Sequence, residues 1–127
     1  MSQLKDVVFD CADAWSQANW WAETLGYRLR PHSDADLAAL KEQGIDRPED
    51  DRNLALDPVD EPGPSVWFCQ VPEAKATKNR VHLDVYGDVD VLTQRGASVV
   101  RVHPKWTVMT DPEGNEFCVF PPLATRE

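Results

Sequence analysis

The chain has 127 residues, 42% of them apolar and 28% charged, a composition that folds rather than one that stays disordered. Asp and Glu number 22 against 13 Lys and Arg, a net charge of -9. Nucleic-acid phosphates and anionic membranes repel such a surface, so neither is expected as a partner.

No apolar run approaches the ~18 residues that span a bilayer. The opening stretch carries Asp6, Asp10 and Asp13, unlike the basic-then-apolar start of a signal peptide. Three cysteines, an odd number, read as reduced thiols. Together these features predict one cytoplasmic domain over residues 1–127. The acidic excess is concentrated: 14 acidic and 6 basic residues precede Pro64, and the segment from Asp46 to Glu61 also holds Pro48 and Pro58. That segment reads as a solvated excursion.

In chain order, Val7 to Cys11 is a short β-prone run, and Asp13 supplies the acceptor side chain of a helix N-cap. Trp15, Ala18, Trp21, Ala22 and Leu25 then recur at helical spacing, with Gly26 placed to end the helix. This spacing puts Trp15 and Trp21 in the buried stripe and Trp20 at its edge or at an interface. Tyr27 to Arg30 returns as a strand. A second helix spans Ser33 to Gln43, opened by Ser33 and Asp36 as a capping box and closed by Gly44. Leu40 and Ile45 are then the pair that makes the hydrophobic contact across that cap.

Leu54 and Leu56 alternate with polar neighbours, and Val66 to Val71 forms a strand before Pro72. Val81 to Tyr86 alternates as the next strand, with His82, Asp84 and Tyr86 on one face and Val81, Leu83 and Val85 on the helix-covered face. Asp88 caps a short helix that Gly96 ends. Ala97 to Val102, Trp106 to Thr110 and Glu116 to Phe120 read as strands. The last two are joined by Asp111-Pro112-Glu113-Gly114-Asn115, a turn with proline and glycine at fitting positions.

Both halves therefore read strand, helix, glycine, three strands. Val7-Val8-Phe9-Asp10 aligns with Val81-His82-Leu83-Asp84, and Trp67-Phe68-Cys69 with Glu116-Phe117-Cys118. This internal repeat predicts an α+β fold of two βαβββ repeats, about 4–72 and 79–121, forming paired sheets around a cleft.

The paired plan resembles the vicinal oxygen chelate superfamily of glyoxalases, bleomycin-resistance proteins and extradiol dioxygenases, above all its glyoxalase-like branch. The residues that carry the likeness are Gly63 to Phe68, Lys78 to Asp84, and Trp106 to Cys118, within a match running from Val7 to Phe120. The scaffold hosts isomerases, oxygenases, transferases and non-catalytic binders, so the resemblance implies a fold more sharply than an activity.

Metal enzymes of that superfamily draw ligands from four cleft-facing positions, which the resemblance places at Val8, Cys69, His82 and Cys118. His82 alone keeps a usual ligand type. The two cysteines are expected to line the cleft as small apolar groups, and no metal or other cofactor is expected. Cys69, His82 and Cys118 are the fallback set, because two thiolates and an imidazole suit zinc.

Six residues are expected to bind ligand: Trp67, Cys69, His82, Asp84, Tyr86 and Cys118. His82, Asp84 and Glu116 are the acid–base candidates. Trp67 can stack a planar molecule or fill the space that metal and substrate occupy in relatives. His103 is read as exposed and His32 as without a chemical role, while the patch of Lys75, Lys78 and Arg80 is expected to pair with acids near Asp50. The leading functional expectation is a metal-independent binder of a small organic molecule in the cleft between the repeats, assembled as a homodimer. The alternative is a lyase or isomerase using a zinc site or His82 acid–base chemistry.

Overall fold

A computed structural model describes residues 1–123, and each repeat forms its own compact unit, Met1–Ala74 and Lys75–Glu127. In the first unit the order is β1 (Asp6–Cys11), α1 (Ala14–Leu25), β2 (Arg28–Leu29), α2 (Asp34–Glu42), β3 (Asn53–Asp57) and β4 (Ser65–Gln70). The second unit holds β5 (Leu83–Tyr86), α3 (Val89–Gln94), β6 (Ser98–Val102), β7 (Thr107–Thr110) and β8 (Glu116–Phe120). The four-stranded sheets have equivalent orders, β1-β4-β3-β2 and β5-β8-β7-β6. In each, the first and last strands of the repeat pair in parallel and the other pairings are antiparallel.

The expected caps form. Asp13 accepts from the Ser16 N–H at 3.1 Å, and Gly26 ends α1 in the left-handed region at φ 68°. Ser33 and Asp36 make a reciprocal capping box at 3.1 and 2.9 Å. Beyond α2, Ile45 N–H donates to the Leu40 carbonyl and Gly44 N–H to that of Lys41, a Schellman pair with Gly44 at φ 79°. The acidic excursion is partly ordered by a 3₁₀ turn at Pro48–Asp50, with Arg47 beside Glu49 and Asp50.

In each unit the core lies between the helix and one sheet face. Trp21, Phe9 and Phe68 pack as a chain of mutually tilted rings with centroids 5.4 and 5.0 Å apart, and Leu54, Leu56 and Val66 are buried beside them. In the second unit Leu92, Met109, Phe117 and Val119 have this role. The opposite face of each sheet, carrying Val8 and Trp67 in the first and Asp84 and Cys118 in the second, is left to build sites.

Two placements differ from the sequence expectation. Trp20 is buried and meets Trp21 edge-on at 5.0 Å, whereas Trp15 is 37% exposed. The buried stripe of α1 runs through Ala14, Gln17, Ala18 and Trp21, rotated from the expected one because the sheet selects the neighbours of Trp21. The strand read from Val81 begins only at Leu83, where pairing with Phe117 starts, and Val81 is exposed instead of helix-covered. No helix among the described residues is long and apolar enough to cross a membrane.

Candidate functional site

Parallel pairing of β5 with β8 sets Asp84 opposite Cys118, and antiparallel pairing with β7 sets Val108 on the other side of Cys118. Strand alternation aims all three away from α3. His82, just before β5, shares their face, and its Nε2 lies 3.2 Å from Asp84 Oδ1. The ligating atoms of His82, Asp84 and Cys118 all lie within 4.8 Å of one another.

These side chains line a cavity of ≈430 Å³ in the second unit, within the size range of small-molecule sites. Its apolar wall is aromatic. Trp106 stacks between His103, at 4.6 Å and 22°, and Phe120, at 6.0 Å and 26°. His103 is thus half-buried, not exposed, because its N–H donates to the Trp106 carbonyl across the β6–β7 turn and brings the rings together. Pro104 and Lys105 at the centre of that turn were the available signal in the sequence.

Glu116 also lines the cavity, with both carboxylate oxygens engaged. Lys75 Nζ donates to Oε1 at 2.9 Å and the Asn79 N–H donates to Oε2 at 2.8 Å. Burial raises its pKa, but these hydrogen bonds outweigh burial and hold it below the usual carboxylate range. Lys75 therefore pairs with β8 rather than with the acids near Asp50, and it also donates to the Thr77 carbonyl. The chain between the units comes back to its own sheet, so its cation meets Glu116 first.

Burial pushes the Cys118 thiol up, and Asp84 adds to this by charge and hydrogen bond, while Lys78 opposes it. Tyr86 faces Phe120 in register on the same sheet and is 63% exposed.

The remaining ligand candidates stand in the first unit. Trp67 is the register partner of Val8 and Ala55 on the open face, with the Arg30 guanidinium 5.2 Å over its ring. Cys69, opposite Asp10, is half-buried, and its thiol is raised by burial and then by the Asp10 charge. His32 has a partner that sequence reading missed: Asp51 Oδ2 lies 2.8 Å from its Nε2. They are 19 residues apart, with no local pattern to connect them.

Solved structures show the same architecture. A glyoxalase/bleomycin resistance protein/dioxygenase family enzyme from Burkholderia phytofirmans PsJN matches at TM-score 0.60 and 15% identity, covering 96% of this chain and 100% of that one. The fosfomycin resistance protein FosX from Mesorhizobium loti matches at TM-score 0.64 and 14% identity, covering 97% and 94%. FosX from Listeria monocytogenes, complexed with Mn(II) and sulfate ion, matches at 0.62 and 10% identity, covering 97% and 92%. At these identities the likeness is one of fold. A comparison with curated proteins finds no match. The model of the glyoxalase-like domain family matches residues 6–120, nearly the whole chain, and the protein belongs to that family.

Proposed function

We propose that this protein binds a small organic molecule on the open face of its second sheet, without a metal. The observation that carries this reading is the aromatic wall of Trp106 and Phe120 beside the polar group of His82 and Asp84 in one ≈430 Å³ cavity. An apolar wall with a few convergent polar groups is the usual make-up of a ligand site. The ligand's apolar part packs against the edges of Trp106 and Phe120 while His82 and Asp84 exchange hydrogen bonds with its polar edge. Metal independence is supported by Val8, which stands at one of the four ligand positions that the superfamily resemblance implies and has no atom able to ligate a metal.

The test is a screen of planar metabolites by tryptophan fluorescence on protein stripped of metal, repeated on Trp106→Ala. Binders whose signal and affinity are lost in the variant support the reading. Binders unaffected by Trp106→Ala, or an absence of any binder, reject it.

A second reading rests on the convergence of His82, Asp84 and Cys118: a zinc site serving a lyase or isomerase. One imidazole, one carboxylate and one thiolate suit zinc better than the Mn(II) held by the FosX relative, because a thiolate is a soft ligand. Bound zinc would supply Lewis acidity and deprotonate Cys118. Elemental analysis near one zinc per chain, lost in Cys118→Ser, favours this second reading.

We also propose a two-fold homodimer. Its support is the edge strand β6, where Val99, Val100 and Val102 are all exposed. Light scattering that returns the 14.3 kDa monomer mass at micromolar concentrations rejects it.

A further inference from the structure

On the reading that the ≈430 Å³ cavity of the second unit holds a small organic molecule, the charges that line it select among such molecules. We propose that the ligand is an organic acid, its anionic group held by Lys78 and Lys105 and its apolar body packed against Val108, Phe120 and the edge of Trp106.

The carboxylates of the cavity are already engaged by the protein. Glu116 has one oxygen on the Lys75 ammonium at 2.9 Å and the other on the Asn79 N–H at 2.8 Å. Asp84 faces His82 Nε2 at 3.2 Å and takes a hydrogen bond from the Cys118 thiol. What acceptor capacity Asp84 keeps suits a neutral donor on the ligand, such as a hydroxyl.

The two lysines have no such partners. Among the described residues neither Lys78 nor Lys105 makes an ion pair or a hydrogen bond, and both are exposed. The Lys78 charge is felt inside the cavity, at the Cys118 sulfur, where it opposes the rise of the thiol pKa. Lys105 adjoins Trp106 in the β6–β7 turn. With Lys75 counted beside its partner Glu116, and His82 as neutral, three ammonium groups stand against two carboxylates.

The surroundings carry the same sign. No Asp or Glu occurs from Val91 to Thr110, a stretch that holds Arg95, Arg101 and Lys105. Arg101 is the register partner of Val108, so it stands beside the cavity on the same sheet face. The site is thus a positive spot on a chain of net charge -9, and its apolar wall strengthens the field there.

Charge then ranks three classes of ligand. An ammonium compound adds to the positive excess and finds Glu116 closed to it. A neutral compound leaves both lysines in water, with neither cost nor gain. An anion gains from each, by up to about fivefold in affinity for an exposed pair. Each ammonium carries three donors on a flexible stem, so both can turn to one carboxylate.

The test uses the full chain and three probes that share one phenol body: 4-hydroxyphenylacetate, tyrosol and tyramine, which end in a carboxylate, an alcohol and an ammonium. Proton–nitrogen NMR follows the Trp106 indole and the Val108 and Cys118 amides. The acid is expected to move these signals saturably with a Kd of roughly 1 mM or tighter. Tyrosol should bind at least about fivefold more weakly, and tyramine more weakly still. The advantage of the acid should shrink in about 0.5 M salt. In a Lys78→Gln, Lys105→Gln double variant it should fall below about twofold. If tyrosol or tyramine binds as tightly as the acid, or the advantage survives in the double variant, the charge assignment is overturned and the cavity reading stands. Signals unmoved by all three probes at about 10 mM overturn the proposal as well; the metabolite screen with Trp106→Ala then decides the cavity reading separately.

Discussion

Asp84 and Cys118 are register partners on the parallel strands β5 and β8, and Asp10 and Cys69 hold the same relation on β1 and β4. The repeat thus places a carboxylate across from a thiol twice. Burial raises each thiol first, and the facing carboxylate raises it further. Thiolate, the reactive form, is suppressed at both positions.

Replacing Asp84 by Asn removes the charge and leaves the shape. Cys118 should then alkylate about threefold faster with iodoacetamide at mildly alkaline pH, because losing a facing negative charge lowers the thiol pKa and raises the thiolate fraction. Cys69 should keep its rate and serve as the internal control. Peptide-level mass spectrometry reads both sites at once. An unchanged Cys118 rate would show that Asp84 does not act on the thiol.

The repeat and its caps were legible because their signals are local. Asp13 and Gly26, Ser33 and Asp36, and Gly44 and Ile45 each lie within a few residues of the backbone groups they satisfy. The alignment of Phe9 with Leu83 and of Cys69 with Cys118 holds in the register of the two sheets. Trp15 and Trp20 were harder to assign. Adjacent stripes on α1 differ by about 100° per residue, and the sheet, not the helix sequence, selects between them. The His32–Asp51 and Lys75–Glu116 pairs bridge 19 and 41 residues, and nothing in either segment alone announces the other.

Gly44 tests the cap of α2. A Cβ there would meet nothing within 4 Å, so Gly44→Ala carries only the cost of φ +79°. That cost is about 1 kcal/mol. Urea unfolding should show a lower midpoint with an unchanged slope. Equal or greater stability in the variant would mean that the Schellman turn is not held in solution.

Asp57 predicts a pH dependence. The hydrogen bonds from Arg30, then Ser65, hold its carboxyl down to about 2 against an ordinary 3.8. A depressed carboxylate stabilises the fold above its unfolded pKa and loses that contribution as pH falls through the folded value. The pair contributes about 1 kcal/mol, less than the full shift implies because the Arg30 side chain is 43% exposed to screening solvent. Wild type should therefore exceed Asp57→Asn in stability at neutral pH. The gap should close between 3.8 and about 2. A gap constant across that window rejects the linkage.

Glu116 distinguishes a structural carboxylate from a catalytic one. Its two oxygens hold Lys75 and the Asn79 N–H, so it ties the chain entering the second unit to β8. The Glu116 and Lys75 side chains are 15% and 26% exposed, which limits screening. Glu116→Ala leaves the Asn79 N–H and the Lys75 ammonium without their acceptor and should cost about 1–3 kcal/mol. Glu116→Gln keeps one acceptor oxygen and should recover part of that loss. Hydrogen exchange at the Asn79 amide gives the decisive measurement: Ala should expose it, while Gln protects it to an intermediate degree. Sign and pH follow from the lowered pKa, so the protection of Asn79 should weaken as pH falls below the ordinary value of 4.5. A general acid or base would behave otherwise. Its removal would leave Asn79 exchange and stability unchanged and abolish turnover of a substrate, and that pattern would return Glu116 to the acid–base candidates beside His82 and Asp84.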